Sequence, residues 1–279
     1  MDGDEFERHR PVLMGIAYRM LASSAEAEDA VQDAWLRVRS IDPTTIVDAR
    51  GYLATTTIRV CIDRLKSARA RRETYPGTWL PEPVLTTSPV DLESIELGFL
   101  VLLERLNPKE RAVFLLHQVF DYSHAEIGDM LDLNEAGSRQ IFHRAKQHVS
   151  AARSRFEPSR ETHERLLFAF LSAVARGDVD SISSVLAEDV ALYGDNAGKG
   201  RDATKSPIIG QRAVARFFLA KVPSSRPDIE ITDVNGWPAV VGRVGGVVTF
   251  VLNIETDGAK IVTIRSVLSP QKLNLRHVS

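Results

Sequence analysis

The sequence predicts a multidomain chain: two all-α domains followed by an α+β domain. Three observations predict it. Apolar residues recur at helical spacing over 26–38, 50–68 and 123–146. A stretch rich in Pro, Thr and Ser, 74–92, interrupts the helical pattern. Past Pro158 the chain turns to Val/Ile-rich runs separated by Gly-containing turns. A length of 279 residues accommodates two or three domains with ordinary cores.

In EAEDAVQDAWLRV (26–38), Ala27, Ala30, Val31, Ala34, Trp35 and Val38 fall at i, i+3, i+4, i+7, i+8 and i+11, one buried helical stripe. Opposite lie Asp29, Gln32, Asp33 and Leu36, and a leucine inside an acidic face suits a protein contact better than plain solvation. A second stripe, Leu53, Val60, Cys61, Leu65 and Ala68, runs through 50–68. Next comes GTWLPEPV (77–84), where Pro76, Pro81 and Pro83 exclude helix and sheet. A disordered spacer has little use for Trp79 and Leu80, so this linker is expected to dock.

SHAEIGDMLDLNEAGSRQIFHRAK (123–146) opens on a Ser123–Glu126 capping box, and Ile127, Met130 and Leu131 give the first helix its buried face. Asp132–Leu133 breaks the pattern and Asn134 can cap a second helix that buries Ile141 and Ala145. Its other side carries Arg139, Gln140, His143 and Arg144, a helix-turn-helix with the second helix armed for a DNA groove. A plain helical hairpin is the alternative. In the remainder, a helix near 161–175 precedes Val/Ile-rich segments 229–234, 239–252 and 260–268, which suggest a curved antiparallel sheet.

The composition, 44% hydrophobic and 26% charged, is that of packed domains. No apolar run approaches the ~20 residues that span a bilayer, and MDGDEFERHR has no signal-peptide core, so a cytoplasmic protein without membrane partners is expected. The single cysteine, Cys61, excludes an intrachain disulfide and a Cys-built zinc site, and its apolar neighbours mark it as a small buried residue. No GxGxxG or P-loop pattern occurs, and neither metal nor cofactor is implied. The net charge of −2 is unevenly spread. Arg59, Arg64, Lys66, Arg69, Arg71 and Arg72 face Asp63 alone, and Arg139, Arg144, Lys146, Arg153 and Arg155 form a second basic cluster. One charge run is ordinarily a solvated helix face; two, each ending a helical segment, point to a polyanion.

These residues carry a resemblance. EAEDAVQDAWLRV is similar to the region of bacterial sigma factors that grips core RNA polymerase. ARGYLATTTIRVCIDRLKSARARRE (49–73) resembles the region that reads and opens the minus-ten element, and NPKERAVFLLHQVFDYSHAEIGDMLDLNEAGSRQIFHRAK (107–146) the region that reads the minus-thirty-five element. Two such domains match the extracytoplasmic-function (ECF) group. ERLLFAFLSAVARGDVDSISSVLAEDVALYGDN (164–196) resembles the opening of SnoaL-like domains of the NTF2-like fold, α+β cone-shaped barrels with one pocket. A subgroup of sigma factors with such a tail has a WLPEP linker, a DGGGK loop and an NPDKL segment. Here the first is intact at 79–83, the second reads Asp195–Asn196–Ala197–Gly198–Lys199, and the third reads Ser269–Pro270–Gln271–Lys272–Leu273. The sequence departs from the group's pattern at Arg59, where Asn is frequent, and at Gly137–Ser138, where β-branched residues are frequent.

The resemblance implies a sigma-2-like helical bundle at 1–75, a linker at 76–92, a sigma-4-like helix-turn-helix domain at 93–157 and a regulatory SnoaL-like domain at 160–279. It implies core RNA polymerase and promoter DNA as partners. Asp29, Gln32, Asp33 and Leu36 would contact polymerase. Arg59, Arg64, Lys66, Arg69, Arg71, Arg72, Arg139, Gln140, His143, Arg144 and Lys146 would contact DNA. Trp79, Leu80, Pro81 and Glu82 are expected to dock beside the loop of Asp195, Gly198 and Lys199, with Lys199 available to Glu82. Two alternatives stay open. One is a SnoaL-like isomerase or cyclase, for which His163, Asp189, Asp195 and His277 are the tail's acid–base candidates, although no two are spaced as a catalytic couple. The other is a one-component repressor whose C-terminal pocket takes a small-molecule ligand.

Overall fold

The computed structural model of the chain describes residues 3–42, 45–73, 75, 77–86, 96–150, 159–198, 206–220 and 227–275, without the side chains of 68–73 and 150. The backbone divides into two compact units. One holds the helices up to residue 150; the other holds segment 75–86 together with everything from residue 159 onward.

In the first unit, α1 (Gly3–Leu21), α2 (Ser24–Val38) and α3 (Ala49–Glu73) pack on one another. Ser23 caps α2 by accepting from the Glu26 amide, and Ala27, Ala30, Val31, Ala34 and Val38 form its buried stripe. Trp35 is half-buried and stacks on Phe6 with ring centroids 4.8 Å apart. From α3 come Leu53, Ile58, Val60, Cys61 and Leu65, all buried. Burial pushes the Cys61 thiol well above the usual cysteine range, so it stays protonated and inert.

After α4 (Leu97–Leu103), an Asn107–Glu110 capping box with Pro108 at the first helical position starts α5 (Pro108–Gln118). The Ser123–Glu126 box starts α6 (His124–Leu131). Asp132 ends it in the left-handed conformation, φ 55°, and Asn134 then accepts the Gly137 amide at the start of α7 (Glu135–Ser150). Ala145 is buried in α7, whereas Ile141 is only half-buried; Ser138, Phe142 and Val149 complete its inward side. Arg111 on α5 is buried and donates to the Met20 carbonyl at 2.6 Å and to Glu104 at 2.8 Å, tying α5 to the end of α1.

The second unit opens with α8 (Arg160–Arg176) and α9 (Val179–Val185), capped by Ser159 and Asp178. Then follow β1 (Leu186–Asp195), β2 (Ile208–Ile209), α10 (Gln211–Ala220), β3 (Asp228–Val234), β4 (Trp237–Val244), β5 (Val247–Thr256) and β6 (Ile261–Val267). Strand order is β2-β1-β6-β5-β4-β3. Asn235–Gly236 and Gly245–Gly246, all at positive φ, form the tight hairpin turns that match strand twist. One helical layer covers one face: Leu166, Leu167, Phe170, Val214 and Ala215 pack on Leu192, Val240, Leu252, Ile254 and Ile264.

The α+β expectation holds, with three corrections. The expected single run 239–252 is two strands, because Gly245–Gly246 reverses the chain. The sheet is not wholly antiparallel: β1 runs parallel to β6, since β2, α10 and β3–β5 intervene between them. Nor does it close into a barrel. β2 and β3 are separate edges, and β3 meets Leu85 at Val234 instead of pairing with β2.

Candidate functional site

The outward face of α2 presents Asp29, Gln32 and Leu36 to solvent, with Leu36 48% exposed, and Asp33 half-buried beside them. The two acids are not left to solvent. Arg64 of α3 donates to Asp33 at 2.6 Å and lies 3.7 Å from Asp29. Burial works against the charge on Arg64, and the two carboxylates outweigh it, holding the guanidinium above its usual pKa. An open groove of about 310 Å³ between α2 and α3 is lined by Glu26, Asp33, Arg37, Asp63 and Arg64. Expected on the DNA side, Arg64 thus organises the acidic face.

On α3 the exposed residues Tyr52, Arg59, Asp63 and Lys66 share one side. Lys66 pairs with Asp63 at 3.1 Å. Arg59 reaches the other half of the unit, donating from Nε to the Met130 carbonyl and from its fork to Asp132, both at 3.0 Å. The side chains of Arg69, Arg71 and Arg72 lie outside the described residues.

In α7, Arg139, Gln140, His143, Arg144 and Lys146 are all exposed, Gln140, His143 and Arg144 facing away from buried Ser138 and Ala145, and Lys146 flanking Phe142. Arg139 pairs with Glu135 one turn back at 2.7 Å, and His143 contacts Gln147 at 3.1 Å. Exposed pairs of this kind contribute at most ~1 kcal/mol, so these side chains are free to exchange partners for a phosphate or a base edge.

Segment 75–86 is built into the second unit. Leu80, Pro81, Glu82, Pro83 and Val84 are buried, and Trp79 is half-buried. The centre of the contact is Asp195, a fully buried carboxylate at the end of β1. It accepts from the Tyr75 hydroxyl at 2.6 Å, the Leu80 amide at 2.8 Å and the Lys272 ammonium at 2.6 Å. Lys272 also donates to the Leu80 carbonyl at 2.7 Å and lies over the Trp79 ring, 4.1 Å from its centroid, and the Tyr75 ring, 5.0 Å from its centroid. Burial and the bond to Asp195 push the Tyr75 phenol above its usual pKa. A second clasp follows: Val84 and Asn235 exchange bonds of 3.2 and 2.9 Å, and the Thr86 amide donates to the Asp233 carbonyl.

The three short motifs therefore meet through Leu80, Asp195 and Lys272; the expected Lys199–Glu82 pair falls on a residue outside the described ones. Gly198 is exposed in a left-handed turn, and Lys199 lies outside the described residues. Sequence reasoning gave Lys272, Tyr75 and Asn235 no role. The signal for Lys272 was its place in the third motif; Tyr75 and Asn235 had none, because their partners are far along the chain. The tail's acid–base candidates are scattered. His163 is buried, bonds the Pro238 carbonyl at 2.9 Å and packs on Trp237. Asp189 is exposed, Asp195 is committed to the linker, and His277 lies outside the described residues. Among the described residues no cluster of His, Cys, Asp or Glu could hold a metal, and no helix is long and apolar enough to cross a membrane.

A bundle with an acidic outer face, joined to a capped helix-turn-helix with a basic outer face, is the architecture of a sigma factor. Residues 6–71 match Sigma-70 region 2 and residues 97–149 match Sigma-70 region 4. The chain belongs to the ECF RNA polymerase sigma factors. It is 40% identical over 238 residues to the ECF RNA polymerase sigma factor SigJ of Mycobacterium tuberculosis, covering 82% of this chain and 76% of that one. To the probable ECF RNA polymerase sigma factor SigI of the same organism it is 31% identical over 95% of this chain and 92% of that one. The SigJ crystal structure superposes with a TM-score of 0.78 at 32% identity, covering 98% of each chain. An NTF2-like protein from Burkholderia xenovorans aligns with 42% of this chain and 96% of its own, with a TM-score of 0.31 and 21% identity.

Proposed function

We propose that this protein is a cytoplasmic initiation factor that binds core RNA polymerase, directs it to specific promoters, and carries its own regulator in the C-terminal sheet domain. Polymerase is met by the α2 face of Asp29, Gln32, Asp33 and Leu36. The minus-ten element is met by the α3 side that holds Arg59 and Lys66, and the minus-thirty-five element by Arg139, Gln140, His143, Arg144 and Lys146 on α7. Lysines and arginines on both DNA-reading helices neutralise phosphates, so promoter contact weakens with salt.

The observation that carries the regulatory reading is the grip on segment 75–86 by Asp195 and Lys272. This segment lies in the covalent connection between α3 and α4, hence between the two DNA-reading halves. A connector held in one extended form restricts the spacings those halves can adopt, and releasing it widens the range. The C-terminal domain thus acts through the linker. Run-off transcription with purified core polymerase, on a promoter enriched by this protein from its own bound DNA, tests both parts. Wild type should give a discrete transcript, and Asp195→Asn should change its yield at unchanged start site. No polymerase-dependent transcript would reject the sigma reading; an Asp195→Asn yield equal to wild type would reject the regulatory one.

A further inference from the structure

Beneath the recognition helix sits a cluster that the function above does not use. His117, in the last turn of α5, and His124, the first residue of α6, stack with ring centroids 4.2 Å apart. The edge of Phe142 from α7 meets His117 at 4.6 Å, and Phe142 also lies 5.5 Å from His124. His124 Nδ1 bonds the hydroxyl of Ser138, a fully buried residue of α7, at 3.0 Å. His117 Nδ1 bonds the Tyr122 carbonyl at 2.9 Å; a carbonyl only accepts, so this nitrogen carries the proton. Thus two imidazoles, from α5 and α6, hold the inner side of α7 through one ring and one hydroxyl.

We propose that His124 is a positioning residue that seats α7 through Ser138, and that the stacked His117–His124 pair makes this seat, and with it upstream promoter recognition, sensitive to protons. The proposal rests on the reading that α7 contacts DNA.

The physical case has three parts. A proton on one ring disfavours a proton on the other at this separation. An imidazolium at the first position of α6 faces the positive end of that helix. The charged groups nearby do not compensate: on α7, Glu135 is already paired with Arg139 at 2.7 Å, and Lys146 lies over Phe142 at 6.0 Å, adding positive charge. Burial, then His117 and Arg139, hold the His124 pKa below its ordinary value, with Glu135 opposing. His124 therefore favours its neutral form when α7 is seated. Protonation as pH falls below the ordinary histidine range favours states in which α7 has left the rings.

The test uses the full chain and a duplex carrying the upstream element selected by this protein from random DNA, at fixed ionic strength. Wild-type affinity should fall about fivefold or more between pH 7.5 and 5.5. The double variant His117→Phe with His124→Gln keeps a ring in the stack and an amide for Ser138 but cannot take up a proton. It should match wild type within about twofold at pH 7.5 and lose nothing at pH 5.5. A wild type without the loss, or a double variant that keeps it, overturns the proposal. Should the double variant not fold, NMR titration of the imidazole Cε1–H signals decides. A lowered titration of His124 that moves toward its ordinary value in Ser138→Ala and in His117→Phe supports the proposal; an ordinary titration of His124, unmoved by either substitution, overturns it. If the protein does not prefer the selected duplex to a scrambled one at pH 7.5, or if Arg139→Ala leaves that preference intact, the DNA reading of α7 fails; the NMR titration still decides whether the pair seats the helix.

Discussion

Arg64 donates to Asp33 at 2.6 Å, joining α3 to α2 along the edge of an open groove. The bond means that the acidic face of α2 has its geometry set from beneath by a neighbouring helix. It also separates two kinds of substitution on that face.

Leu36→Ala should weaken capture of core polymerase by about tenfold or more, as removal of a central apolar anchor does. Its side chain is 48% exposed, so stability should stay within about 0.5 kcal/mol of wild type. Asp33→Lys should instead lose both, because it sets a cation against Arg64. Urea titration beside co-elution with core polymerase separates the two results.

Arg59 and Asp132 form an exposed ion pair, worth at most ~1 kcal/mol. Asp132→Asn preserves the left-handed position, which Asn tolerates. It should leave stability within about 1 kcal/mol and strengthen binding of a minus-ten duplex, since Arg59 loses an internal competitor. Arg59→Ala should weaken that binding. Fluorescence anisotropy with short duplexes reads both, and equal affinities in all three proteins would remove Arg59 from the DNA surface.

Asp195→Asn removes the buried carboxylate that pairs with Lys272, and should destabilise the sheet domain by about 3 kcal/mol. Adding Lys272→Met takes the largely buried ammonium away as well and should recover part of that loss without restoring the bond to Leu80. Cleavage by chymotrypsin after Trp79, followed by mass spectrometry, should accelerate in both variants. Protection equal to wild type would mean that the second clasp, at Val84 and Asn235, holds the segment alone.

His163 is buried, and burial lowers its pKa more than the bond to the Pro238 carbonyl raises it. The folded protein therefore resists a proton that the unfolded chain accepts. Stability from this group is complete above about pH 6.5 and falls as pH drops below it, by up to ~1.4 kcal/mol per pH unit. His163→Phe should flatten that slope in urea titrations from pH 7.5 to 5.5. An unchanged slope would place the acid sensitivity elsewhere.

What was legible in the sequence was local. The Ser123–Glu126 box and the Asn134 cap lie within a few residues of their partners, so the residues alone place the helix-turn-helix and turn the face of Arg139, Gln140, His143 and Arg144 outward. The buried stripe of α2 was legible for the same reason. The parallel pairing of β1 with β6 was not, because nothing within 186–195 states which strand it will join. The linker motif announced that it would dock, through an apolar pair where a spacer has none. Its partner atoms stayed hidden, since Lys272 meets Asp195 and Leu80 only once the sheet has formed. Arg59 and Arg64 were read as charge alone, and charge does not say which acid a long side chain will find.

The clasp on the linker has a consequence in time. Leu80 meets Asp195 across 115 residues of chain and Lys272 across 192. At ~5–20 residues per second, a ribosome that has just made Leu80 needs roughly 10–40 s to reach Lys272. Helices α1–α7 are complete well before then. In the proposed reading, every newly made molecule thus passes through an interval in which its promoter-reading helices exist and their restraint does not. Closing so long a loop is also entropically slow to reward. In the proposed reading the latch therefore forms only after the helices it restrains.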